Sequence, residues 1–176
     1  MSTLQFPEDI TFFISVLFNH DSISLAEVES IIRENFQDDF SSYECSYFPM
    51  KEYYSKEMGH EKSLRRYFFF LSDKKSRDHL IEYKILSEKI EKNLSRDGHR
   101  IVNLDPGYIG LDQVVLATGK PYSHRLYLGQ GVYGELTYTY QNSSYKTLQW
   151  TYPDYSSDET IKLFNFIRTF NLCVDS

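Results

Sequence analysis

Tyr67-Phe68-Phe69-Phe70-Leu71 is an unbroken apolar run, and such a run suits a central strand that is covered on both faces. Residues 10–18 make a similar demand. Phe12, Ile14, Val16 and Phe18 alternate with Thr11, Phe13, Ser15 and Leu17, as in a mostly buried strand. Between these strands, Ser24-Leu25-Ala26-Glu27 forms a capping box with Ile23 and Val28 at the staple positions. Leu25, Val28, Ile32 and Phe36 then continue at helical spacing.

A shorter strand is expected near residues 43–48. Residues 51–63 are polar, Tyr-rich and without a clean period, and read as a loop. Leu80, Tyr83, Leu86, Ile90 and Leu94 mark one face of a long helix that ends at Gly98. A strand at 100–104 completes the order βαββαβ. This is the split-βαβ or ferredoxin-like arrangement, with two helices on one face of the sheet.

The other face then needs a cover. Residues 113–150 read as further strands, including a C-terminal β-hairpin region. Residues 158–170 read as a terminal helix opened by a second capping box, Ser156-Ser157-Asp158-Glu159. The expected class is α+β with an antiparallel or mixed sheet, in a single domain over residues 1–176. A domain of that length buries roughly 70% of the surface its unfolded chain exposes.

The formal net charge of −6 argues against a nucleic-acid partner, because that affinity comes from Lys and Arg neutralising phosphates. Cys45 and Cys173 are the two cysteines, far apart and without a His cluster, so neither a disulfide framework nor a metal site is expected. Phe12 to Phe18 is too short to span a bilayer and follows Glu8 and Asp9 rather than a basic region. A cytosolic location without membrane association is expected.

Polar residues that the fold does not demand concentrate late in the chain. Asp105-Pro106-Gly107 reads as a turn, with Pro presetting φ and Gly accepting a positive one; Arg100 and Asn103 remain beside it without a structural reason. A symmetric loop at Gly129-Gln130-Gly131 makes opposed residues sum to 260, so Arg125 faces Glu135. As neighbours on one strand, His124 and Arg125 then point to opposite faces. Arg125 and Glu135 form either an ordinary cross-strand ion pair or a clamp for an anion, and the ion pair is preferred. His124 is read as a satisfied core histidine, with general acid or base work the alternative. Asp154, just before the terminal helix, either complements its dipole or serves as a carboxylate of a site. Lys120, with Arg100 and Arg125, offers a pocket for phosphate or carboxylate.

Phosphate-loop, dinucleotide, zincin and nucleophile-elbow motifs are all missing. Taken in order, four motifs stand out. They are Tyr53-Tyr54 with Glu57-Met58-Gly59; Arg100 with Asn103-Leu104-Asp105-Pro106-Gly107-Tyr108; His124-Arg125-Leu126-Tyr127-Leu128-Gly129 with Glu135; and Trp150-Thr151-Tyr152-Pro153-Asp154-Tyr155. Together they resemble a bacterial family catalogued as a domain of unknown function, over nearly the whole chain. Some of its members carry a GTP-binding label, for which this chain has no phosphate loop. The resemblance carries over no activity and no site residues, and leaves the cofactor unknown.

The expected function is binding of a small anionic ligand, phosphate- or nucleotide-like, by Arg100, Asn103, Asp105, Lys120, His124, Arg125, Glu135 and Asp154. The alternative is an interaction module or homodimer formed through exposed, Tyr-rich sheet edges with few lysines.

Overall fold

The computed structural model describes residues 3–96 and 98–172; Cys173 lies outside them. Strand β1, Ile10–Asn19, is buried along its whole length. Helix α1, Leu25–Phe36, opens with the expected capping box, in which Ser24 and Glu27 exchange hydrogen bonds. Strand β2 is Phe40–Glu44, ending before the expected strand does. Residues read as a loop instead hold helix α2, Lys51–Met58, and a 3₁₀ turn, Glu61–Ser63. Burial of Met58 with Phe48, Leu17 and Leu64 fixes α2, a tertiary contact that overrides its weak periodicity.

Strand β3, Leu64–Lys75, and helix α3, His79–Leu94, follow. Helix α3 ends at Ser95 rather than Gly98. Gly98 instead lies in the turn between Arg96 and His99, at a φ of +77°. The remaining strands are β4 (Val102–Ile109), β5 (Gln113–Thr118), β6 (Arg125–Gly129), β7 (Val132–Gln141) and β8 (Ser144–Thr147). Helix α4 is Asp158–Leu172. Its cap is Ser157, whose Oγ accepts from the Thr160 amide at 3.1 Å, not Ser156 as expected from the capping-box pattern.

All strands join one antiparallel sheet in the order β2-β3-β1-β4-β5-β7-β6, with β8 also paired to β7. The class is α+β. Both faces of the central strands are covered. On one, Phe12, Ile14, Val16, Phe69 and Leu104 pack with Val28, Ile32 and Phe36 of α1 and Leu80, Tyr83 and Ile90 of α3. On the other, Phe13, Phe68, Phe70 and Tyr138 pack around Phe164 of α4, and Phe164 meets Phe13 edge-on at 5.0 Å. Full burial of each such side chain contributes about 1.5–3 kcal/mol. Helix α2 covers the far end of this second face. Between α2 and α4, the register aligns Ser15 with Asp105, and Leu17 with both Arg66 and Asn103. Polar side chains therefore occupy the gap between two apolar clusters. Among the described residues, no helix is long and apolar enough to cross a membrane.

Candidate functional site

Strand β4 pairs with β1 from Val102 to Ile109, but with β5 only from Gly107 to Ile109. Strand β5 meanwhile stays on β7 to its end, where Thr118 opposes Tyr133. Strands β4 and β5 therefore part at residues 102–106 and leave a wedge in the sheet. A bare main chain there would be costly. Instead, the Leu104 amide donates to Glu91 Oε1 at 2.6 Å, and its carbonyl accepts from Lys84 Nζ at 3.2 Å. Two side chains of α3 thus stand in for a missing strand.

The wedge also corrects the expected turn at Asp105-Pro106-Gly107, because all three residues lie inside β4. The pleat puts the Pro106 nitrogen on the same side as the Leu104 amide, where no neighbouring strand requires a donor. Gly107 is needed for close approach. A Cβ on it would sit 2.6 Å from Phe13 Cζ and 2.7 Å from the Val115 carbonyl oxygen.

A cavity of about 620 Å³ fills the wedge. Six of the eight expected site residues line it: Arg100, Asn103, Asp105, Lys120, Glu135 and Asp154. His124 and Arg125 are not among its lining residues and meet Glu135 instead.

One wall is a chain of hydrogen bonds that accounts for Arg100 and Asn103. Arg100 Nη2 pairs with Glu57 at 2.7 Å, and its Nη1 donates to Asn103 Oδ1 at 2.6 Å. Asn103 Nδ2 donates to Asp105 Oδ2 at 2.6 Å, and Asp105 Oδ1 pairs with Lys84 at 3.1 Å. Arg100 contacts neither His124 nor Asp154. Burial pushes the Asp105 carboxyl up, but Lys84 and Arg66 outweigh it and hold it below the ordinary value. Glu91 moves the other way, because burial outweighs its bond from the Leu104 amide and the nearby Lys84.

At the floor, Arg66 Nη1 pairs with Asp154 Oδ2 at 2.8 Å and donates to Ser15 at 2.9 Å. Its guanidinium lies 4.7 Å over the Phe48 ring. Asp154 therefore ties β3 to the segment before α4 rather than serving the helix end. Burial also pushes the neighbouring Tyr54 hydroxyl up to about 12.

The opposite wall is built on buried Glu135. Its Oε2 accepts from Arg125 Nε at 2.6 Å and lies 3.1 Å from His124 Nε2, and its Oε1 has no partner among the described residues. Arg125 opposes Glu135, and Tyr127 opposes Tyr133, as the loop symmetry predicts. The expectation that His124 points away from Arg125 fails, because His124 lies in the turn before β6. There its ring stacks on Trp150 at 4.9 Å.

Arg66, Lys84 and Glu91 were not expected, although the sequence carries a signal for each. Arg66 interrupts the apolar face that Leu64, Phe68 and Phe70 share, and Lys84, Glu88 and Glu91 recur at helical spacing. Arg66, Lys84 and Arg100 each have a carboxylate partner. Lys120, an exposed residue that also lines the cavity, has none among the described residues.

A family model described as "Domain of unknown function (DUF4416)" matches residues 8–170. No curated protein and no solved structure matches the chain.

Proposed function

The chain belongs to this family of unknown function, and from that premise we propose that it binds a small ligand in the wedge between β4 and β5. The ligand carries an anionic group, phosphate or carboxylate, together with hydrogen-bond donors. The single observation behind this reading is Lys120, an exposed lining residue with no carboxylate partner among the described residues, beside Arg66, Lys84 and Arg100, which each have one. Because the other lining residues bring five carboxylates, Glu88, Glu91, Asp105, Glu135 and Asp154, against three cations, Arg66, Lys84 and Arg100, a bare polyanion would gain little beyond Lys120, whereas donors on the ligand would find Asp105, Glu88 and Glu91. The volume lies within the range of roughly 300–1,000 Å³ typical of small-molecule sites.

The test is a thermal-shift and calorimetric screen of sugar phosphates, nucleotides, amino acids and short peptides, run on wild type and Lys120→Ala. At least one compound should stabilise the wild type, and its affinity should fall by about tenfold in the variant, as for loss of ~1.4 kcal/mol. No stabilisation by any compound, or stabilisation that Lys120→Ala retains in full, contradicts the reading.

A second reading, pairing of two copies, draws on strand β6. It ends the sheet with Leu126 75% and Tyr127 63% exposed, and its one charged residue, Arg125, is paired with Glu135, the kind of edge that recruits another strand. Sedimentation over a range of concentrations tests it, and a monomer throughout contradicts it.

A further inference from the structure

The wedge also leaves β4 main chain that no second strand pairs, at Leu104, which is fully buried beneath side chains rather than open to the cavity. From Val102 to Pro106, the side of β4 away from β1 has no strand neighbour. In the middle of this stretch, the Leu104 amide and carbonyl face the same way and are held by Glu91 and Lys84. In an antiparallel sheet, a residue with this orientation exchanges both hydrogen bonds with one opposed residue. The two α3 side chains reproduce that exchange with one acceptor and one donor.

Both stand-ins are displaceable, because each already has another partner. Lys84 Nζ is 3.1 Å from Asp105 Oδ1, and Glu91 Oε2 is 3.5 Å from Arg100 Nη1. If an incoming amide takes over Leu104, neither charge is stranded, so the penalty for an unpaired buried ion is avoided. Asn103 and Asp105, which flank Leu104, line the same cavity as Lys120.

We propose that the ligand is a short peptide with a free carboxylate, bound in an extended conformation along β4. One of its residues exchanges both main-chain hydrogen bonds with Leu104, and its terminal carboxylate meets Lys120. This inference rests on the proposed wedge site and narrows its ligand class. Recognition through the main chain supplies affinity without requiring a particular side chain opposite Leu104.

The test follows the Leu104 amide by ¹⁵N–¹H NMR during titration with tri-alanine, tri-alanine carboxamide, tri-alanine N-methylated at the central residue, and inorganic phosphate. Tri-alanine should shift the Leu104 resonance and slow its hydrogen exchange. Removing the peptide N–H or the carboxylate should each weaken binding about three- to tenfold, as for one lost hydrogen bond or surface charge contact. If phosphate shifts the resonances around Lys120 while tri-alanine leaves Leu104 unmoved, the peptide inference falls and the anion-binding reading stands. Equal binding of the N-methylated peptide also overturns the inference. If no probe perturbs the wedge, both fall.

Discussion

Arg66 and Asp154 form an ion pair at 2.8 Å with both side chains no more than 4% exposed, joining β3 to the segment that leads into α4. Removing one partner leaves an uncompensated buried charge. Asp154→Ala is therefore expected to lose about 3–5 kcal/mol, whereas Arg66→Met combined with Asp154→Leu should remain near wild-type stability. Urea unfolding of the two variants checks this, and equal losses would show that the charge pair itself stabilises the fold.

Glu91 separates a hydrogen-bonding role from a charge role. Glu91→Leu leaves the Leu104 amide unpaired and should cost about 1–3 kcal/mol, while Glu91→Gln keeps an acceptor and should cost less. Because burial raises this carboxyl above its ordinary value of 4.5, the native state holds the proton more tightly than the unfolded chain does. Its contribution to stability is therefore greatest below 4.5 and declines as the pH rises through the raised value. Glu91→Gln should remove that decline from the stability–pH curve measured by chemical denaturation.

Asp105 has the opposite sign. Its carboxyl is held below the ordinary 3.8, with Lys84 and Arg66 outweighing burial, so its stabilisation is complete above 3.8 and disappears as the pH falls through the depressed value. The stability gap between wild type and Asp105→Asn should be widest above 3.8 and shrink below it, as read from denaturation midpoints across that range. A gap that does not change with pH would contradict the ion pair with Lys84.

Gly107→Ala drives a Cβ to 2.6 Å from the Phe13 ring and 2.7 Å from the Val115 carbonyl, at the last pairing of β4 with β5 before the wedge. Overpacking of this kind should cost about 1–3 kcal/mol. A second substitution, Phe13→Leu, should recover part of the loss, because it relieves the ring contact but not the carbonyl contact. Thermal unfolding of the single and double variants measures the recovery.

The α+β class was legible because strand and helix periods are local. Residues 10–18 alternate, and Leu80, Tyr83 and Ile90 follow one helical face. The pairing of Arg125 with Glu135 was legible as well, since a short symmetric loop dictates register. Asp105-Pro106-Gly107 misled because Pro and Gly favour a turn locally, whereas here a gap between strands tolerates the proline and the Phe13 ring selects the glycine. Asp154 misled for a related reason. Its place before a helix suggested a dipole partner, but its partner is Arg66, from a strand distant in sequence. The cavity gathers six of the expected residues, yet the ion pairs that fix them run to Glu57, Lys84 and Arg66, which only the folded chain brings near.

The central claim, that the wedge between β4 and β5 is a binding site for an anionic group centred on Lys120, is tested most directly by ¹⁵N–¹H NMR titration with acetate and inorganic phosphate on wild type and Lys120→Ala. The wild-type amides of residues 118–120 and 103–105 should shift together, and those shifts should vanish in the variant. Shifts scattered over exposed lysines elsewhere, or shifts in the wedge that persist without Lys120, would contradict it.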